Sequence, residues 1–253
     1  MAGIHPGGSG NSGTADGGAV LIESNASPTI VGCIFSENET QADGGAIGLK
    51  GSRVYIANCT FAGNDAGTDG YGRGGAISVN DYNANFNIVE DCEFSQNTAT
   101  GSGGAIHWLG DHFTIRRCTF NHNSASSTDY GGGIYASPHG TGEGTIADCE
   151  FIDNSAGQGG GLYVGSATFD IHNCVFYSNH AATQGGGIYS YGGTADVTNC
   201  TIHQNYAYTE GGYPRRVHDR EHHQQHHMDQ QVLCRIPLSS RKGHHGIRRR
   251  HLH

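Results

Sequence analysis

One short motif returns seven times along this chain and limits what the chain can fold into. Cys-x-Phe-x-x-Asn occurs at Cys33-Phe35-Asn38, Cys59-Phe61-Asn64, Cys92-Phe94-Asn97, Cys118-Phe120-Asn123, Cys149-Phe151-Asn154 and Cys174-Phe176-Asn179, and as Cys200-Ile202-Asn205. Cys-to-Cys spacings are 26, 33, 26, 31, 25 and 26 residues. In the first six copies the Asn is followed by a glycine pair and an apolar run, as in Gly44-Gly45-Ala46-Ile47 and Gly103-Gly104-Ala105-Ile106. Asn11 with Gly17-Gly18-Ala19-Val20 reads as the tail of an earlier copy.

A repeat of this length is one supersecondary unit that cannot bury its own apolar face. Ile47-x-Leu49, Ile77-x-Val79 and Cys33-x-Phe35 alternate with period two, as strands do. Three strands of three to five residues joined by short turns would make one coil, and coils stacked ~4.8 Å apart bury the apolar face. The expected fold is therefore an all-β, right-handed parallel β-helix solenoid of about eight rungs. Cys and Phe should form inward columns. The structural ladder Asn38, Asn64, Asn97, Asn123, Asn154, Asn179 and Asn205 should sit at a turn, its amides bonding one another on left-handed backbone. Buried thiols used as small hydrophobes account for the Cys column.

Phe35-Ser-Glu-Asn38 with Gly44-Gly45-Ala46-Ile47, and its repeats through residues 11–212, resembles the repeats of the chlamydial polymorphic outer membrane proteins. That resemblance implies a surface-exposed, adhesin-like protein, extracellular or on an outer membrane. Similar rungs occur in pectate-lyase-like enzymes, which supply the alternative expectation of a polysaccharide lyase or glycoside hydrolase.

Composition divides the chain in two. Residues 1–212 hold 20 Asp and Glu against 5 Lys and Arg, whereas residues 213–253 hold 3 acids and 9 bases. Of 42 glycines, only Gly243 and Gly246 follow Tyr213. An acidic body lacks the basic face that nucleic acid requires, and no stretch approaches the roughly 18 apolar residues of a membrane helix. Residues 1–212 are thus expected to be the solenoid, N-terminally incomplete, and 213–253 a disordered tail.

The tail invites a metal assignment at His222-His223-Gln224-Gln225-His226-His227. The genetic code offers another account. The codons of Glu221 to Gln231 are almost fixed, and read one base later they permit Thr-Asn-Ser-Thr-Ile-Trp-Thr-Asn. This follows Thr198-Asn199-Cys200-Thr201-Ile202-His203-Gln204-Asn205 with Ser for Cys, Trp for His and Thr for Gln. The recovered Asn falls at Gln230, 25 residues after Asn205. A one-base slip near Gly212 is therefore expected, with the His run a product of the wrong frame.

Solenoids place function on one face or in insertions. Two turns between Asn and Gly-Gly are long, Asn64 to Gly74 and Asn123 to Gly132, and the same two rungs are long again at Asn80–Asn85 and Ser137–Gly144. These loops are expected to wall a shallow cleft whose floor carries Gly48, Ser78, His107, Tyr135, Tyr163 and Tyr189. Tyr71 and Tyr130 stand on the walls. His107 with the tyrosines would give sugar rings a flat platform, making carbohydrate or a cell-surface ligand the expected partner. The same residues also suit an aromatic ladder that only stabilises a solvated strand.

For a lyase, Arg73 with Asp65 and Asp69 is the candidate catalytic group. No acid stands on the floor, and no carboxylate pair marks the gap that glycoside hydrolysis needs. No cofactor is expected except calcium, which Asp16 and Asp43 could share. Two carboxylates fall short of its six to eight oxygens.

Overall fold

The computed structural model describes residues 16–68, 70–80, 85–138 and 142–208, with further strands at Gly3–Pro6, Pro214–Arg216 and Ile236–Ser239. It is a parallel β-helix of seven turns with four sheets. Sheet A runs from Val20–Glu23 to Ile188–Ser190, sheet B from Thr29–Val31 to Thr194–Thr198, sheet C from Ile34–Ser36 to Thr201–His203, and sheet D from Glu39–Thr40 to Tyr206–Tyr208. Among the described residues there is no helix, and hence none long and apolar enough to cross a membrane.

The expected number of strands per turn is corrected. Each turn has four strands rather than three, because the Asn corner separates the Phe strand from a further strand as short as Thr98–Ala99. Among the described residues the turns number seven, the first opening at Gly17 to Val20. Asn11 lies outside the described residues.

The Phe column is buried and stacked. Ring centroids from Phe35 to Phe176 are 4.6–4.9 Å apart, with planes within 7°. Elsewhere large and small residues alternate down a column. Trp108 is followed in register by Ala136 and packs on Phe113 at 4.9 Å. Gly144 leaves the space that Phe113 and Phe169 fill, since a Cβ there would meet both rings within 2.8 Å.

Each buried Asn of the ladder uses its full hydrogen-bonding capacity. The Asn123 carboxamide oxygen accepts from the Asn97 backbone N–H (3.0 Å) and from Asn97 Nδ2 (2.9 Å). Its own Nδ2 donates to the Phe94 carbonyl (2.9 Å) and to Asn154 Oδ1 (3.0 Å). An amide offers two donors and two acceptor sites, and all are used. Asn64, Asn97, Asn154 and Asn179 repeat the arrangement.

Left-handed backbone falls not on the ladder Asn but on the residue before it: Glu37, Gly63, Gln96, His122, Asp153, Ser178 and Gln204, with φ of 51–63°. A second such column precedes each Cys, and a third is the first glycine of each pair. Non-glycine residues cost ~1–2 kcal/mol in this conformation. Saturated hydrogen bonding at the neighbouring Asn holds them there.

At the ends, Gly3–Pro6 pairs antiparallel with Val20–Glu23, Pro214–Arg216 with Tyr206–Tyr208, and Ile236–Ser239 with Thr194–Val197. The rest of 209–253, including Glu221 to Gln231 and the His222–His227 run, lies outside the described residues, as does Asp69.

Candidate functional site

Parallel pairing puts Gly48, Ser78, His107, Tyr135, Tyr163 and Tyr189 in one outward column on sheet A. A second column is the residue before each glycine pair: Asp16, Asp43, Arg73, Ser102, Tyr130, Gln158 and Gln184. From Asp43 onward, its carbonyls accept the glycine N–H of the preceding turn at 2.8–3.0 Å. The face has a polar half over the early turns and an aromatic half over the later ones.

The aromatic half is a continuous stack. His107 and Tyr135 lie 5.0 Å apart, Tyr135 and Tyr163 5.0 Å, and Tyr163 and Tyr189 5.4 Å. Tyr130 folds onto the stack, 4.9 Å from Tyr163 and 6.1 Å from Tyr135. Tyr191, two residues beyond Tyr189 and so on the same face, is exposed. Sequence reading missed Tyr191, although period two alone would have found it. Burial and the neighbouring tyrosines push the Tyr163 hydroxyl's pKa up.

The floor is not open along its length, as the sequence suggested. Ser78 and His107 are 1% and 2% exposed, and Tyr163 is 7% exposed. Tyr130, Tyr135 and Tyr189 are half-buried. Over the early turns, side chains from the flanking columns bridge the face. Asp16 pairs with Lys50 at 2.8 Å, and Asn80 donates to Asp43. The bridge fits because Gly48 has no side chain; a Cβ there would lie 2.8 Å from Asp16 Cβ.

Neither carboxylate of the calcium expectation is without protein partners. Asp16 holds Lys50 and accepts from the Asp43 N–H (3.3 Å); Asp43 holds Asn80 and accepts from the Arg73 N–H (2.8 Å). Burial raises the Asp43 pKa, opposed by these two hydrogen bonds. Among the described residues no three His, Cys, Asp or Glu side chains gather to hold a metal.

The two insertions meet instead of facing each other across a gap. Tyr71 donates to Asp129 at 2.7 Å, and its ring covers Gly101 on the turn between them. Thr100 anchors the first loop, donating to the Gly70 carbonyl (2.6 Å) and accepting from the Gly72 N–H (2.9 Å). The Arg73 guanidinium lies 5.2 Å from the centre of the Tyr71 ring. Asp65 stands on sheet D, in register with Glu39 and Thr98. On the opposite side of sheet A, residues 81–84 and 139–141 of the expected walls lie outside the described residues.

Ser78 Oγ and His107 Nδ1, neighbours in register, are buried without hydrogen-bond partners among the described residues. Burial, with the Arg73 charge adding to it, lowers the His107 pKa from 6.5 to about 3. An unfolded chain takes up a proton near pH 6.5 that folded His107 refuses, so this group makes stability fall as pH drops from about 6.5 to about 3. The raised Asp43 carboxyl works in the opposite direction. Comparison with His107→Phe isolates the histidine: between pH 7 and pH 5, urea unfolding should cost the wild type about 2 kcal/mol more than the variant. Equal losses would remove His107 as the source.

No curated protein and no solved structure matches the chain. The family model of the right handed beta helix region matches residues 71–213, more than half of the sequence, and the chain therefore belongs to the right-handed β-helix family.

Proposed function

We propose that this protein is a secreted or cell-surface β-helix scaffold of the adhesin-like kind that contacts carbohydrate through the aromatic half of sheet A. The carrying observation is the stack of Tyr130, Tyr135, Tyr163 and Tyr189 beside exposed Tyr191. Tyr135, Tyr163 and Tyr189 follow one another at rung spacing on a rigid sheet, and the half-buried Tyr130, Tyr135 and Tyr189 with exposed Tyr191 present apolar ring surface and hydroxyl groups together, the combination that a sugar ring with one apolar face can use. Their backbone is fixed by in-register pairing, so little ordering cost attends binding.

The lyase alternative draws less support. Arg73 lies against Tyr71, its backbone is tied to Asp43, and Asp65 belongs to another sheet.

The test is binding of the purified chain to a panel of neutral and acidic polysaccharides, with turnover followed in parallel. Binding without turnover is expected. Tyr135→Ala combined with Tyr189→Ala should weaken it about tenfold, equivalent to ~1.4 kcal/mol, while Tyr177→Ala on sheet C should leave it unchanged. Release of unsaturated products, lost on Arg73→Ala, would replace this reading with the lyase. Absence of glycan binding, with retained attachment to whole cells, would move the partner to a protein receptor.

A further inference from the structure

We propose that the cysteine column is a binding site for soft, two-coordinate monovalent cations of the copper(I) class, threaded between successive turns. The thiols of Cys33, Cys59, Cys92, Cys118, Cys149, Cys174 and Cys200 are all free. They occupy one corner of seven stacked turns, at the repeat that the Phe rings measure as 4.6–4.9 Å. The proposal is independent of the glycan reading.

Spacing decides between the two reactions open to such a column. A disulfide needs Cβ atoms ~3.5–4.5 Å apart. A parallel in-register ladder aims neighbouring Cβ atoms the same way and keeps them at the rung repeat, ~4.8 Å, which is too far. Metal–thiolate bonds are ~2.3 Å long, so two in line span ~4.6 Å, and the gap between turns fits one ion held by two sulfurs. Soft thiolates select copper(I) among first-row ions. The requirement that three side chains meet at one point does not arise, because the site is a line.

Two further features support thiolate formation. Backbone N–H groups already point at sulfur: those of Cys33, Cys59 and Cys174 donate to the Sγ of Cys59, Cys92 and Cys200 at 3.4 Å. Each thiol faces a carbonyl two residues back at 3.1–3.4 Å, and those of Cys59, Cys118, Cys149, Cys174 and Cys200 a second carbonyl at 3.6–3.7 Å, all weak bonds to surrender. Cys33, at the half-buried end of the column, is the point of entry.

Charge favours filling the whole line. One ion between two thiolates leaves a buried negative charge. Seven thiols leave six gaps, and six monovalent ions on seven thiolates leave one net negative charge for the whole column. Each thiol gives its proton to solvent, each interior sulfur bridges two ions, and nothing is oxidised or reduced.

The experiment uses silver(I), an air-stable member of the class, on the full chain carrying Cys234→Ser and washed with free histidine to strip imidazole-bound metal. Native mass spectrometry counts ions, and thiolate-to-metal charge-transfer absorption reports sulfur ligation. Up to six ions per chain are expected. Cys118→Ser should remove the two gaps it borders and lower the count to four, and Cys33→Ser should remove one. Cys118→Ala, with its fold checked by circular dichroism, substitutes should the serine variant fail to fold. Uptake of only one ion at the Cys33 end, or a count unchanged by replacing Cys118, would overturn the proposal.

Discussion

Replacing Asn123 with alanine is expected to destabilise the solenoid by roughly 3–6 kcal/mol, as read from the urea midpoint and slope. The side chain is fully buried at the centre of the ladder. Its removal leaves the Asn97 N–H and one Asn97 Nδ2 hydrogen without their acceptor, takes the amide donor from the Phe94 carbonyl, and leaves Asn154 Oδ1 with one of its two. Each buried group left unsatisfied costs ~1–3 kcal/mol. Asn123→Asp should do at least as much harm. A carboxylate keeps the acceptor but loses both donors, and it sets negative charge against Asn154 Oδ1. Asn205→Ala serves as the comparison. On the last turn it accepts from the Asn179 N–H and Nδ2 but is itself half-exposed, so its loss should cost visibly less. If Asn123→Ala and Asn205→Ala cost the same, burial of the ladder is not what stabilises it.

The difference between those positions shows which parts of the fold the sequence carried. Phe-x-x-Asn and Gly-Gly mark two corners of each turn because only particular side chains work there. An amide alone can complete the Asn ladder, and only glycine escapes the neighbouring turn's backbone. The left-handed columns carry no such mark, since Glu37, His122 and Arg117 all occupy them. The conformation is imposed by the corner rather than chosen by the residue. The fourth strand was equally hidden, because two residues such as Thr98 and Ala99 are too few to show alternation.

At the candidate site the outward column from Gly48 to Tyr189 was legible, since period two and the rung length fix which residues align. Burial of that column was not. It depends on contacts between flanking residues one turn apart, Asp43 with Asn80 and Asp16 with Lys50, which are 37 and 34 positions apart in the chain. The meeting of Tyr71 with Asp129, 58 residues away across an intervening turn, was beyond reach for the same reason. Repeats reveal which residues stack; they do not reveal which long side chains lean across the stack. The stacking of Tyr135, Tyr163 and Tyr189 on one another was legible, because it is a contact that register alone determines.

The second glycine of each pair gives the second large effect, and a glycine elsewhere in the turn shows why. A Cβ on Gly104 would lie 2.2 Å from the Gly132 carbonyl oxygen and 2.6 Å from Ser124 backbone atoms. Every obstacle is backbone of the next turn, so no rotamer change relieves it. Separating the turns by an ångström would break the Gly104 N–H bond to the Gly131 carbonyl (3.0 Å) and the Ala105 bond to Gly133 (3.1 Å). Overpacking a side-chain core costs ~1–3 kcal/mol. Here backbone pairing is lost as well, and Gly104→Ala should cost about 4 kcal/mol or more by urea unfolding. Gly63 separates space from conformation. Its φ is +63°, yet a Cβ there would meet only Glu37 Cγ, at 3.8 Å. Gly63→Ala should therefore cost only the left-handed penalty, ~1–2 kcal/mol, as the equivalent residues Glu37, Gln96 and Ser178 already bear. Equal costs for the two substitutions would mean that glycine is needed in this fold for its dihedral freedom. A clear excess at Gly104 would mean that it is needed because the turns stack too closely for any side chain between them.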